Sequence, residues 1–251
     1  MELELTNKAV LVTGSTRGIG KSIAEAFCAE GCRVAINGRN NATLRAVAAE
    51  LSGTLPICAD ATQPEQAQQM IAEVKTAFGQ LDILVCNVGS GSSVPPGNES
   101  FEEWQRIFAI NLWSATNTIE AAQTTLANSN GTIVCISSIC GHEVIPGAPV
   151  TYSVSKAALN AYVKGISRPL GEQGVRINAV APGNILFEGS VWSRKLSEDA
   201  DSVQSMLRRE VPLSKLGSPS DVANLVTYLA SPVAGFATGG VWTLDGGQVR
   251  S

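Results

Sequence analysis

Tyr152 and Lys156 stand four residues apart in Thr151-Tyr152-Ser153-Val154-Ser155-Lys156-Ala157-Ala158-Leu159. On a helix that spacing puts both on one face, one turn apart. A phenol beside an ammonium can move a proton near neutral pH, because a free phenol titrates near ~10 and a neighbouring cation favours the phenolate. The run Thr132-Ile133-Val134-Cys135-Ile136 reads as a strand and delivers Ser137 and Ser138 at its end. In an open parallel sheet, ligands meet the carboxyl ends of the strands, so a serine hydroxyl there can donate to an oxygen that is gaining charge. Helices produce Tyr-x-x-x-Lys often by chance, so the weight of the pair rests on the elements around it.

The first of these elements is the apolar run Ala9-Val10-Leu11-Val12, followed by Thr13-Gly14-Ser15-Thr16-Arg17-Gly18-Ile19-Gly20. Ile23, Ala24, Ala26 and Phe27 then recur at helical spacing until Gly31. A strand, a glycine turn and a helix in that order let backbone N–H groups approach a pyrophosphate. Glycines in such a place can also serve only a tight bend. Arg33-Val34-Ala35-Ile36 is a second strand ending in Asn37-Gly38-Arg39. An acidic residue about 20 positions past the glycines commonly holds the adenosine ribose. Asn37 occupies that place, with no carboxylate to repel a 2′-phosphate. Arg17 and Arg39 could clamp such a phosphate, or could be solvated surface residues.

Alternation continues to the end of the chain. Helical patterns start at Asn40 or Asn41 and near Pro64. Strands are expected at Leu55-Pro56-Ile57-Cys58, Leu81–Val85, Val175–Val180 and from Val241. Ser100-x-x-Glu103 predicts a capping box opening a long helix through Trp113, with the polar Asn111 inside an apolar neighbourhood. Asp60, after the third strand, could cap the next helix. Pro169 is expected to kink or tighten the helix that bears Tyr152. Residues 186–211 read as a substrate lid or as a plain surface helix pair. Repeated strand–helix units of this kind predict an α/β fold, a doubly wound parallel Rossmann-like sheet of about seven strands flanked by helices on both faces. No linker interrupts residues 1–251, so one domain is expected.

Composition narrows the functional classes. The chain has 251 residues, 44% hydrophobic and 16% charged, which suits a sizeable core and not disorder. A net charge of -4 without a basic stripe argues against nucleic acid. Six cysteines without C-x-x-C spacing read as buried small hydrophobes in a reducing compartment, not as a disulfide framework or a zinc site. The start, Met1-Glu2-Leu3-Glu4-Leu5, is too acidic and too short for a signal peptide, and no run approaches the ~18 apolar residues of a membrane span. A soluble cytoplasmic protein with no bound metal is expected.

The glycine pattern G-x-x-x-G-x-G differs from the common G-x-G-x-x-G fingerprint. It resembles the turn of short-form short-chain dehydrogenases/reductases. Asn87-x-Gly89, Asn111, Ser138-x-x-Gly141 with Tyr152-x-x-x-Lys156, and Pro182-Gly183 carry the resemblance over nearly the whole chain. The resemblance implies hydride transfer between a nicotinamide and a secondary alcohol or ketone. Tyr152 would be the general acid/base and Ser138 a hydrogen-bond donor. Lys156 would lower the tyrosine's pKa and bind ribose, and Asn111 would hold a relay water. Dinucleotide contacts are expected from Gly14, Ser15, Thr16, Arg17, Gly18, Ile19, Gly20, Asn37, Arg39, Asp60, Ala61, Asn87, Gly89, Tyr152, Lys156, Pro182, Gly183 and Ile185, with NADP(H) favoured over NAD(H). It also implies a homotetramer.

Several residues depart from the family pattern. Cys86 and Val88 stand where N-N-A-G is usual, Phe187 replaces a common threonine, and the Ser138–Tyr152 interval is one residue longer than usual. The extra residue falls in Gly141–Gly147 at the rim of the site. His142, the only histidine, reads as surface or a substrate contact. Substrates of the 3-oxoacyl thioester or sugar and polyol kind remain open, as does a non-catalytic sensor or scaffold that only binds the dinucleotide.

Overall fold

The structure is a computed structural model that describes residues 2–250. Seven parallel strands form one sheet in the order β3-β2-β1-β4-β5-β6-β7. They are β1 (Ala9–Val12), β2 (Arg33–Gly38), β3 (Leu55–Cys58), β4 (Ile83–Cys86), β5 (Thr132–Ile136), β6 (Arg176–Pro182) and β7 (Val241–Leu244). Strand side chains alternate between faces, and each face carries its own core. Val10, Val12, Val34, Ile36, Val85 and Val134 pack with Ile23 and Phe27 of α1 (Gly18–Ala29), Leu44 of α2 (Asn41–Glu50) and Val226 of α9 (Pro219–Ala230). Leu11, Leu84, Ile133 and Ile177 point the other way. They meet Met70 of α3 (Pro64–Phe78), Ile119 of α5 (Ser114–Ser129) and Val163 of α6 (Val150–Gly171). This is the doubly wound arrangement that the alternating pattern implies.

Between α3 and α5 the chain runs through α4 (Phe101–Phe108) and a π-helical segment, Ala109–Trp113, directly into α5. The capping box forms in part. Ser100 Oγ accepts from Glu103 N at 3.2 Å, but the Glu103 carboxylate turns to Arg106 and Ser93, the stronger partners within reach. At α9 both halves of such a box are present, between Ser218 and Asp221. Pro169 lies in the last turn of α6, and the helix ends two residues later at Gly171. The segment expected as a lid or surface pair holds α7 (Val191–Glu198) and α8 (Ala200–Glu210), with a small core of Val203, Leu207 and Val211 against Trp192. No helix among the described residues is long and apolar enough to cross a membrane.

The sheet order reverses between β1 and β4. In open parallel sheets that switch point is where a ligand crevice opens at the strands' carboxyl ends.

Candidate active site

A cleft of about 1120 Å³ opens at that point. Its floor is the glycine turn after β1. Gly14 and Gly18 hold φ of 60° and 53°, a region that costs other residues strain. Arg17, the N-cap of α1, makes no side-chain capping bond, so the first amides of this helix have no side-chain partner. Asn87, after β4, fixes the turn by donating Nδ2 to Thr13 O at 3.0 Å and to Gly14 O at 2.9 Å. Gly20 is confined by the same contact. A Cβ added there would collide with the Asn87 side-chain nitrogen and lie 2.5 Å from Gly14 O. Gly20→Ala is therefore expected to lower unfolding free energy by about 1–3 kcal/mol. An unchanged thermal midpoint would show that the turn adapts freely.

Of the residues expected to touch a dinucleotide, all but Ser15 and Gly18 line the cleft. Ser15 is buried, donating Oγ to Val12 O and accepting from Asn37 N. Gly18 is covered by the Phe187 ring, whose nearest atom would lie 2.6 Å from an added Cβ. Asn37 lines the cleft near the end of β2. It is buried, with Nδ2 donating to Ile57 O and Ala59 O and Oδ1 accepting from Gly14 N. That amide stitches β2 to β3 and to the turn, and it has little bonding capacity left for a ribose. The neighbouring Gly38, which the sequence reading passed over, lines the cleft, and Thr16 Cγ2 would lie 2.5 Å from a Cβ there.

Arg17 and Arg39 are exposed at this end of the cleft. Arg39 Nη1 lies 3.5 Å from Asp60 Oδ2. Asp60 does not cap α3, whose N-cap is Gln63, and instead folds its Oδ1 onto the Thr62 amide and hydroxyl. Burial works against its charge, but the Thr62 hydrogen bonds and the Arg39 guanidinium together hold the carboxyl below the usual range.

Across the cleft, Tyr152 and Lys156 share one face of α6. Lys156 Nζ stands 5.9 Å from the Tyr152 ring centroid, is itself buried, and donates to Ile136 O at 2.8 Å. Burial lowers the ammonium to about 8. Burial also pushes the Tyr152 phenol up to about 12, against a hydrogen bond with Ser138 that favours the phenolate. Burial is the largest cause of that rise, and the Cys140 thiol adds to it.

The two serines after β5 part ways. Ser137 Oγ bonds Asn160 Oδ1 at 2.5 Å, whereas Ser138 Oγ accepts from Cys140 N and neighbours the phenol. Gly141 follows close on α6, where an added Cβ would lie 2.7 Å from the Lys156 carbonyl carbon. This explains the Ser-x-x-Gly spacing.

Asn111 sits just behind the cleft wall in the π segment. Its Oδ1 accepts from Ser90 N, and its Nδ2 donates to Ser90 O and Ile107 O. A Cβ on Gly89 would lie 3.1 Å from both Asn111 Oδ1 and Lys156 Nζ, so these two groups flank that glycine. Gly91, also missed, lies against the Tyr152 ring; its glycine-rich loop context was the only signal.

Pro182, Gly183 and Ile185 line the end beyond β6, where Gly183 N donates to Leu244 O. The outer wall is built by the rim residues 143–149 and by Trp192, Lys195, Met206 and Arg209 of α7 and α8. His142 is exposed and does not line the cleft.

A family model described as Enoyl-(Acyl carrier protein) reductase matches residues 14–248. The chain is 32% identical to glucose 1-dehydrogenase 2 of Bacillus subtilis, over 99% of this chain and 97% of that protein. It is 34% identical to a 3-oxoacyl-(acyl-carrier-protein) reductase of Aquifex aeolicus, over 99% and 100%. The structure of L-sorbose reductase from Gluconobacter frateurii, complexed with NADPH and L-sorbose, superposes with a TM-score of 0.93 at 27% identity, covering 100% of both chains.

Proposed function

The chain belongs to the short-chain dehydrogenase/reductase family as a short-form member, an oxidoreductase of CH–OH and C=O groups, and from that premise we propose that it is an NADP(H)-dependent reductase of ketones in which Tyr152 is the proton donor. The observation that carries this reading is one cleft lined by Tyr152, Ser138 and Lys156 that also reaches the side-chain-uncapped, glycine-crowded N-terminus of α1. The Gly14–Gly20 turn would hold the pyrophosphate, Lys156 the nicotinamide ribose, and Asn87, Gly89, Pro182, Gly183 and Ile185 the faces of the molecule. When bound, the dinucleotide supplies the hydride that the carbonyl carbon accepts.

Tyr152 gives its proton to the carbonyl oxygen. Ser138 donates a hydrogen bond to that oxygen as charge builds, a contribution of roughly 3 kcal/mol where such donors have been removed. At pH 7 the raised phenol is protonated and the lowered ammonium still charged, the states that ketone reduction needs. The Lys156 ammonium would return a proton to the phenolate and regain its own from solvent through a water held by Asn111 behind Gly89.

Preference for the 2′-phosphorylated dinucleotide is supported by Arg17, Arg39 and the absence of a carboxylate at the end of β2. Asp60 competes only through an exposed pair, worth about 0–1 kcal/mol. NADPH is expected to bind at least about tenfold tighter than NADH. Arg39→Ala should erode most of that margin while leaving NADH affinity unchanged, since a charge-assisted hydrogen bond contributes about 1.5–3 kcal/mol. A tighter dissociation constant for NADH would overturn the preference. Substrates of the two classes carried by the named relatives, 3-oxoacyl thioesters and sugar-like ketones, form the test panel. Oxidation of NADPH followed at 340 nm decides between them, and silence across the panel would sink the reductase reading.

A further inference from the structure

Asn160 stands one turn beyond Lys156 on α6 and is buried. It does not line the cleft, and it meets both ends of the segment that carries Ser138. Its Oδ1 accepts from Ser137 Oγ at 2.5 Å, and its Nδ2 donates to Gly141 O at 3.1 Å. Between those anchors lie only Ser138, Ile139 and Cys140. Ser137 N is further tied to Val180 O of β6 at 2.7 Å, and Gly141 N to Ser138 O at 2.9 Å. Ser137 Oγ reaches Lys156 O at 3.5 Å. Gly141 has no room to retreat toward the helix, since an added Cβ would lie 2.8 Å from Asn160 Nδ2.

β5 and α6 are consecutive elements joined by residues 137–149, and Ser138 and Tyr152, one at each end of that connection, must meet the same carbonyl oxygen. Asn160 is the side-chain amide that ties one side to the other. We propose that Asn160 is a positioning residue, which fixes Ser138 Oγ relative to the Tyr152 hydroxyl by pinning the Ser137–Gly141 segment to the helix that carries Tyr152. This rests on the reading of Ser138 and Tyr152 given above.

An asparagine can also simply satisfy buried backbone groups. The two roles differ in what they couple to. A positioning residue acts through Ser138, so its removal costs little once Ser138 is gone. Misplacement of a reacting group by about 1 Å can cost about 100-fold in rate.

The experiment measures kcat for the best ketone of the panel and the dissociation constant of NADPH, in Asn160→Ala, Ser137→Ala, Ser138→Ala and the doubles with Ser138→Ala. Asn160→Ala is expected to lose about 10- to 100-fold in kcat, and Ser137→Ala about 3- to 10-fold, each with NADPH affinity within about twofold of wild type. In the Ser138→Ala background neither should lose more than about a further twofold. Ser137→Ala deletes a single oxygen and carries the test if Asn160→Ala does not fold. A full loss repeated in the Ser138→Ala background, or an NADPH affinity that falls as far as kcat, overturns the inference and leaves the reductase reading standing. A Ser138→Ala enzyme as active as wild type overturns both.

Discussion

Tyr152→Phe is expected to lower kcat by about 1000-fold while NADPH affinity stays within about threefold of wild type. The substitution removes one oxygen and leaves a ring of nearly the same shape. The ring carbons of Tyr152 would come within 3.8–4.0 Å of a Cβ on Gly91, a contact that a phenyl ring keeps. Ser138 retains its bond from Cys140 N, so the strand end need not rearrange. What disappears is the proton donor itself. The effect should therefore fall on the chemical step and not on binding, and the variant should show no new pH optimum. Ligand titration by fluorescence and single-turnover reduction of a good ketone separate the two. Residual turnover within about tenfold of wild type would move the proton donor elsewhere in the cleft.

What the sequence disclosed followed the physics of each signal. Period-two and period-3.6 patterns are properties of whole elements, so the strands, their helices and the two-faced core were legible, as Leu11 against Val10 and Val12 shows. Ser138 was distinguishable from Ser137 because the reason for the spacing, the close passage of Gly141 over α6, left a trace in the motif. The bonds made by the Asn37 side chain were not legible. Position along β2 gives distance from the turn but not which bonds the side chain finds, and this one is claimed by Ile57 O and Ala59 O across the strand gap.

The proton energetics were also out of reach of the sequence. Spacing on a helix says that a cation is near Tyr152, but the dominant influence is desolvation, which depends on everything packed around α6. Asn160 escaped notice for a related reason. Its partners lie on a strand end whose approach is fixed only in three dimensions.

The second large effect is the pH dependence of stability set by Lys156. Burial holds the native ammonium at about 8, whereas an unfolded lysine titrates near ~10.4. Between those values the unfolded chain binds more protons, so this group makes stability rise with pH from about 8 upward, and below 8 its contribution is flat. Over that window the slope approaches about 1.4 kcal/mol per pH unit. Thiols raised by burial, Cys32 among them, and the raised Tyr152 act in the opposite direction at higher pH. The useful quantity is therefore the difference between wild type and Lys156→Met, in which those other groups cancel.

Lys156→Met loses the bond to Ile136 O but no longer buries a charge. Wild type is expected to gain stability relative to the variant as pH rises from 8 to 10, read from urea midpoints at matched pH. The variant should also lose at least about 100-fold in kcat, because Tyr152 would have neither a nearby cation nor a proton source behind it. A stability difference that stays constant from pH 7 to 10 would mean that the ammonium titrates as it does in water. Its burial beside the phenol would then contribute nothing to the protonation states on which the proposed reduction depends.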